Sequence, residues 1–190
     1  MKKIILVIIG SALLGLGAYL SQISQFGPDA FSFLWVGLST KFNISMGEAN
    51  LITSIIFLVT IYLIDKKYIH IGTLLSPLVI SVVIDLLMSL NLNPQHIALR
   101  AIIFWVGILI YAYGIALYLY QDYGKSPYDG IIAVGVKVFK QPFIMTKLTL
   151  DAIFYVSAIL LGAPSVWGPI VYVLFSGILI ERFSSSKYMI

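Results

Sequence analysis

Long apolar stretches separated by short polar punctuation dominate the chain. Four runs are plain: residues 4–20, 71–90, 101–120 and 167–180 with its flanks. Two more extend over about 47–64 and 144–161. A helix needs roughly 20 apolar residues to cross a bilayer, within a range of about 17–25. The pattern therefore predicts six membrane-spanning helices. Two further segments, 28–41 and 127–140, are too short: at about 1.5 Å per residue each reaches only about 21 Å. Each opens with Pro (Pro28, Pro127) and closes with Lys (Lys41, Lys140). They predict short, re-entrant or interfacial helices.

The polar positions recur at an offset of about 97. Gly10 and Gly17 match Gly107 and Gly114, Val36-Gly37 matches Val134-Gly135, and Phe57 matches Phe154. Pro28 and Asp29 match the neighbourhood of Pro127 and Asp129. With one residue of slippage Gly72 matches Gly168 and Asp85 matches Glu181. Each half reads long helix, short Pro-led helix, long helix, long helix. The expected architecture is one membrane domain over 1–190, with repeats of about 1–95 and 96–190. Lys2 and Lys3 before an apolar core have the charge pattern of a signal peptide. No small-x-small site follows near Ser21, and the second half has a counterpart, so the segment reads as a permanent span.

Composition excludes most alternatives. Hydrophobic residues make up 60% and charged residues 11%, against about 45–50% and about 25% in soluble domains. A soluble enzyme, a disordered chain and a nucleic-acid binder with a basic face are ruled out. With no Cys, thiolate chemistry and disulfides are excluded. His70 and His96 stand in separate loops without an acidic cluster, so no metal or cofactor is expected.

The net charge of +4 bears on orientation rather than on an anionic partner. With three spans per half the halves sit inverted and both termini are cytoplasmic. Lys2, Lys3, Lys66, Lys67, Lys125, Lys137, Lys140, Lys147, Arg182 and Lys187 then lie inside, and Lys41 and Arg100 outside. Eight spans with parallel repeats would move Lys66, Lys67 and Lys125 out. Charge hardly separates the two; helix length favours six.

Candidate chemistry is sparse. Asp85, Asp151 and Glu181 lie in or at the ends of apolar runs, where a carboxylate is costly and marks a functional candidate. Asp85 is the deepest. Asp151 follows Lys147 by four residues, which also fits a plain salt bridge on one helix face, and Glu181 beside Arg182 also fits an interface marker. The Pro-led turns Gly27-Pro28-Asp29 and Gly124-Lys125-Ser126-Pro127-Tyr128-Asp129-Gly130 are the other constellation. Ser or Asp there can cap free helix N–H groups, and such helix ends bind ions and polar substrates in transporters. Asp29 and Asp129 would otherwise be caps only. Glycines seven apart predict close helix packing. Tyr111, Tyr113, Tyr118, Tyr120 and Tyr123 fit an aromatic belt.

Residues 124–130 resemble the small-Pro-x-Asp-Gly box of the bacterial YczE/YyaS/AitT membrane proteins, which are distantly YitT-like. Lys147 and Asp151 fall where that family tends to place a basic and then an acidic residue. Ile71-Gly72-Thr73 is similar to its Gly-Thr box, and Trp167-Gly168-Pro169 to a weaker second copy. Gln25-Phe26-Gly27-Pro28-Asp29-Ala30 departs from the fuller string. The resemblance spans essentially the whole chain. It implies a multi-pass protein of the bacterial cytoplasmic membrane and brings no reaction with it.

The expected function is a small-solute transporter or channel acting on a polar solute or ion. The alternatives are a substrate-binding subunit of a larger importer, which needs an energising partner, and a non-transporting scaffold or regulator. A homo-oligomer fits any of these. No catalytic constellation can be assembled, so an enzyme is not expected.

Overall fold

The computed structural model describes residues 2–120 and 126–184. Tyr123, Gly124, Lys125 and Lys187, and the side chain of Tyr120, lie outside that description. The described residues form helices and no strands. In order they are α1 (Lys2–Ile23), α2 (Ala30–Phe42), α3 (Met46–Asp65), α4 (Ile71–Met88), α5 (Ile97–Tyr120), α6 (Pro127–Phe139), α7 (Phe143–Leu160) and α8 (Gly168–Ser184). The long–short–long–long order occurs twice. Five helices are long and apolar enough to cross a membrane: α1, α3 with the turn after it, α4, α5 and α7. The sixth expected span, α8, has 17 described residues, at the lower edge of the usual range of about 17–25. Ile55, Ile56, Leu63, Val82 and Leu86 are among many large apolar side chains left exposed. Such an apolar exterior suits lipid, not water.

The two short helices have 13 residues each, about 20 Å of helix. Their starts differ from expectation. Pro28 lies before α2, and Asp29 is its N-cap: Asp29 Oδ2 accepts from Phe31 N at 3.2 Å and Ser32 N at 3.3 Å. Pro127 does open α6, and Ser126 caps it by accepting from Asp129 N at 3.1 Å. Both helices stop at a left-handed residue, Asn43 (φ 54°) and Lys140 (φ 53°).

At the centre α1 crosses α5. A Cβ added at Gly17 would lie 2.7 Å from Gly107 O, and one at Gly114 2.8 Å from Gly10 O. Gly10 thus faces Gly114 and Gly17 faces Gly107, so the helices run antiparallel. The backbones approach closely because no side chain intervenes. Around this pair α4 packs on α1 and α8 on α5, while α2 lies along α7 and α6 along α3. The remaining contacts also match: α2 touches α3 as α6 touches α7, and α2 touches α8 as α6 touches α4.

The short helices begin together and part. Phe31 and Tyr128, each the second residue of its helix, stack with ring centroids 5.1 Å apart and planes at 12°. Beneath them Phe57 of α3 stacks on Phe154 of α7 at 5.8 Å. From that point α2 runs to the C-terminal end of α7, where Gly37 meets Ala158. α6 runs to the C-terminal end of α3, where Lys137 Nζ donates to Asp65 at 2.8 Å.

Replacing Gly17 with Leu forces the α1–α5 crossing apart. Overpacking of this kind costs about 1–3 kcal/mol or more. Gly17→Leu is expected to lower the unfolding temperature of the purified protein by several degrees. Gly177→Leu, where an added Cβ meets nothing within 4 Å, should leave it unchanged.

Candidate functional site

The starts of α2 and α6 open onto one cavity of about 570 Å³. Both halves supply its wall. Asp29, Ser32 and Trp35 come from α2 and its cap; Asn50 and Ser54 come from α3, and Ser76 from α4. Tyr111 and Tyr118 come from α5, Ser126 to Asp129 from the start of α6, Lys147 and Asp151 from α7, and Tyr172 from α8. Most of the wall is apolar.

The predicted residues fall into two groups. Asp29, Ser126, Pro127, Tyr128, Asp129, Lys147, Asp151 and Glu181 all line the cavity. Asp151 is buried and Glu181 is exposed at the rim. Gly27, Pro28 and Asp85 do not line it. Gly27 (φ 91°) is in a left-handed conformation and packs beneath Val166 at the start of α8, next to Gly168, whose N–H donates to Phe26 O at 2.8 Å. Asp85 accepts from Ser45 Oγ at 2.7 Å and Gly47 N at 2.8 Å. It ties down the first turn of α3, so its isolation in sequence reflects a partner 38–40 residues earlier.

Asp151 carries the ion pair of the cavity wall. Lys147 Nζ donates to its Oδ2 at 2.6 Å, and the Tyr128 hydroxyl donates to its Oδ1. The pair is thus turned into the cavity and joins α7 to the start of α6. The positions 97 residues earlier hold Asn50 and Ser54, where Ser54 Oγ donates to Asn50 Oδ1 at 3.1 Å. Asn50 Nδ2 in turn donates to Ser81 Oγ and Pro77 O of α4, both at 3.0 Å. One face of the cavity carries a neutral pair and the other a charged one.

The two caps are related in the same manner. Asp29 and Ser126 are 97 residues apart, and so are Ser32 and Asp129. The boxes carry the same two residue types in opposite order. Ser126 Oγ also donates to Asp129 Oδ2 at 2.7 Å. Asp29 corresponds in position to the serine cap, not to Asp129.

Five buried polar atoms on this wall have no hydrogen-bond partner among the described residues: Asp29 Oδ1, Ser32 Oγ, Trp35 Nε1, Ser76 Oγ and the Tyr118 hydroxyl. Such groups are costly in an apolar medium. Sequence reasoning missed Ser32, Asn50, Ser54 and Ser76. Adding 97 to the first three numbers gives Asp129, Lys147 and Asp151, a signal that was available. Tyr111 and Tyr118 are buried cavity residues rather than belt residues. Tyr113 is exposed and packs edge-on against Phe183 at 5.6 Å.

Apolar helices wrapped around a polar-tipped cavity define a multi-pass helical membrane protein. The chain belongs to the family described as "Family of unknown function (DUF6198)", which it matches over residues 1–185. It is 26% identical over 178 residues to "Uncharacterized protein YyaS" of Bacillus subtilis, covering 92% of this chain and 89% of that one. It is also 26% identical over 183 residues to an "Uncharacterized protein" of Haemophilus influenzae, covering 96% of this chain and 83% of that one. No solved structure matches it. The resemblance read from the Pro box and the Lys147–Asp151 pair is thereby upheld at the level of the family.

Removing one member of a buried ion pair leaves the other uncompensated. Lys147→Met is expected to lower the unfolding temperature more than Lys147→Met combined with Asp151→Asn. A double-mutant cycle by thermal unfolding reads the difference.

Proposed function

We propose that this protein carries a small solute across the membrane, with the shared cavity as its binding site. One observation carries the reading. Two short helices start beside one cavity, and that cavity holds buried polar atoms with no partner among the described residues. Half-helices that end inside a membrane protein form substrate sites in transporters built from inverted repeats. Here α2 and α6 are those half-helices. We further assign the two halves as inverted repeats with six spans. The antiparallel α1–α5 pair supports this, because parallel repeats would set equivalent helices parallel. α2 and α6 are then re-entrant, entering from opposite faces.

The cavity extends to Phe143, Ile144 and Glu181. It therefore reaches the end of the molecule where Ile180 and Phe183 pack near Leu6 of α1. Phe26, Phe104 and Trp167 close the other end, with centroids 4.6–5.5 Å apart and Arg100 over the Phe26 ring at 5.0 Å. With the charge bias that puts Lys2 and Lys3 inside, the cavity faces the cytoplasm.

Two measurements test these assignments. The chain has no cysteine, so a single introduced one is unambiguous. With six spans, Asn93→Cys reacts with an impermeant maleimide in intact cells and Lys67→Cys does not; eight spans reverse the result. In proteoliposomes, Asp29→Asn is expected to reduce flux of the carried solute at least tenfold with the fold retained, since Asn caps a helix about as well as Asp. Unchanged flux would remove Asp29 from the site.

A further inference from the structure

The two halves are not equally closed. The seam between α3 and α4 is stitched by Asp85 to Ser45 and Gly47, by Ser81 Oγ to Gly47 O at 2.8 Å, and by Asn50 to Ser81 and Pro77. The corresponding α7–α8 seam makes far fewer contacts, and no side-chain hydrogen bond joins the two helices among the described residues. The cavity reaches the exterior along it. Ile144 and Leu148 of α7 and Leu174, Gly177 and Ile180 of α8 line the cavity. Ile144, Leu148 and Leu174 are also exposed, and a Cβ at Gly177 would meet nothing. The opening is therefore lateral and apolar-edged. It lies beside the end of the cavity at Phe143 and Glu181, so the cavity has an apolar side slot in addition to that end.

The charge inside is uneven as well. Lys147 is the only basic side chain on the described wall and is bound to Asp151. Asp29 has no ion-pair partner among the described residues. It is 8% exposed, its Oδ2 is engaged by the α2 backbone, and its Oδ1 is unpartnered. An α-helix N-terminus offsets only about half of a carboxylate's charge, so a cation at Asp29 would supply the balance. The cavity wall it shares also carries Phe31, Trp35, Tyr111 and Tyr172. Aromatic faces attract cations, more so when desolvated. An acid without a counter-charge, an aromatic surround and an apolar side slot select the same ligand chemistry.

We infer that the cavity takes an amphipathic organic cation, entering between α7 and α8 with its cationic group at Asp29 and its apolar body against the aromatic wall. This rests on the cavity being the proposed solute site, and it names the class of solute. The unpartnered donors Trp35 Nε1, Ser32 Oγ and the Tyr118 hydroxyl favour a cation that also carries a hydrogen-bond acceptor.

Three probes with one tail separate the possibilities: dodecylammonium, dodecanol and dodecanoate. Their binding is measured by calorimetry to the full chain in phosphatidylcholine nanodiscs, with empty nanodiscs as the blank. Dodecylammonium is expected to bind at least tenfold more tightly than the other two. Asp29→Asn is expected to remove most of that preference while leaving the unfolding temperature near wild type. Equal binding of all three, a preference for dodecanoate, or a preference that survives Asp29→Asn overturns the inference. Gly177→Trp, which fills the slot, should slow dodecylammonium association at least fivefold; an unchanged rate overturns the lateral route. The two proposals fail separately. A charge preference that depends on Asp29, without flux in proteoliposomes, leaves a cation-binding protein that is not a carrier. Flux of a neutral or anionic solute, without that preference, leaves a carrier of another class.

Discussion

The close crossing of α1 and α5 is the constraint on which the rest of the structure depends. In lipid, helices gain little from burying apolar surface against each other, so packing at short range must hold them. Gly10, Gly17, Gly107 and Gly114 supply that range by bringing backbone against backbone. Because Gly10 meets Gly114 and Gly17 meets Gly107, the contact fixes direction as well as distance. α4 and α8 then have one flank each to occupy. The two 13-residue helices α2 and α6 fill the remaining space, against α7 and α3 respectively.

Those short helices create the site. A helix that starts within an apolar molecule needs partners for its first N–H groups. Asp29 and Ser126 provide them from the chain itself. The stacked Phe31 and Tyr128 hold the two starts side by side. Positions 97 residues apart then do different things. Asn50 and Ser54 bind their own half together, whereas Lys147 and Asp151 hold α7 against α6 and leave α8 packed on α5 with little contact to α7. The difference lies in the residue types at positions 97 apart. It gives the cavity both its charge and its open side.

Much of the frame was legible in the sequence. The helices α1 to α8 of the described residues follow from run length and Pro position, and their order emerged as read. The spacing of the four glycines predicted the tight contact, though not which glycine meets which. That pairing depends on whether the helices run parallel or antiparallel, which spacing along one strand of sequence does not encode. Asp85 shows the opposite failure. Its depth in an apolar run suggested a ligand site, but its partners Ser45 and Gly47 are brought to it only by the turn between α3 and α4. The cavity was half legible. Lys147, Asp151 and the Pro boxes stood out because charge and Pro are rare here. Ser32, Trp35, Ser76 and Tyr118 did not, since small polar and aromatic residues occur throughout apolar helices. Only their convergence, and the lack of a partner for each, makes them notable.

Solute access to the heart of the cavity is measured most directly at Ser32, which is 1% exposed, lines the cavity and has no partner for its hydroxyl among the described residues. Ser32→Cys in this otherwise cysteine-free chain can be treated with a small charged methanethiosulfonate in membrane vesicles of each orientation. The cysteine is expected to react when the cytoplasmic face is exposed to reagent, to react at least tenfold more slowly from the other face, and to be shielded by dodecylammonium. A cysteine that reacts from neither face, or only from the outer one, would contradict a solute site at the meeting of the two short helices.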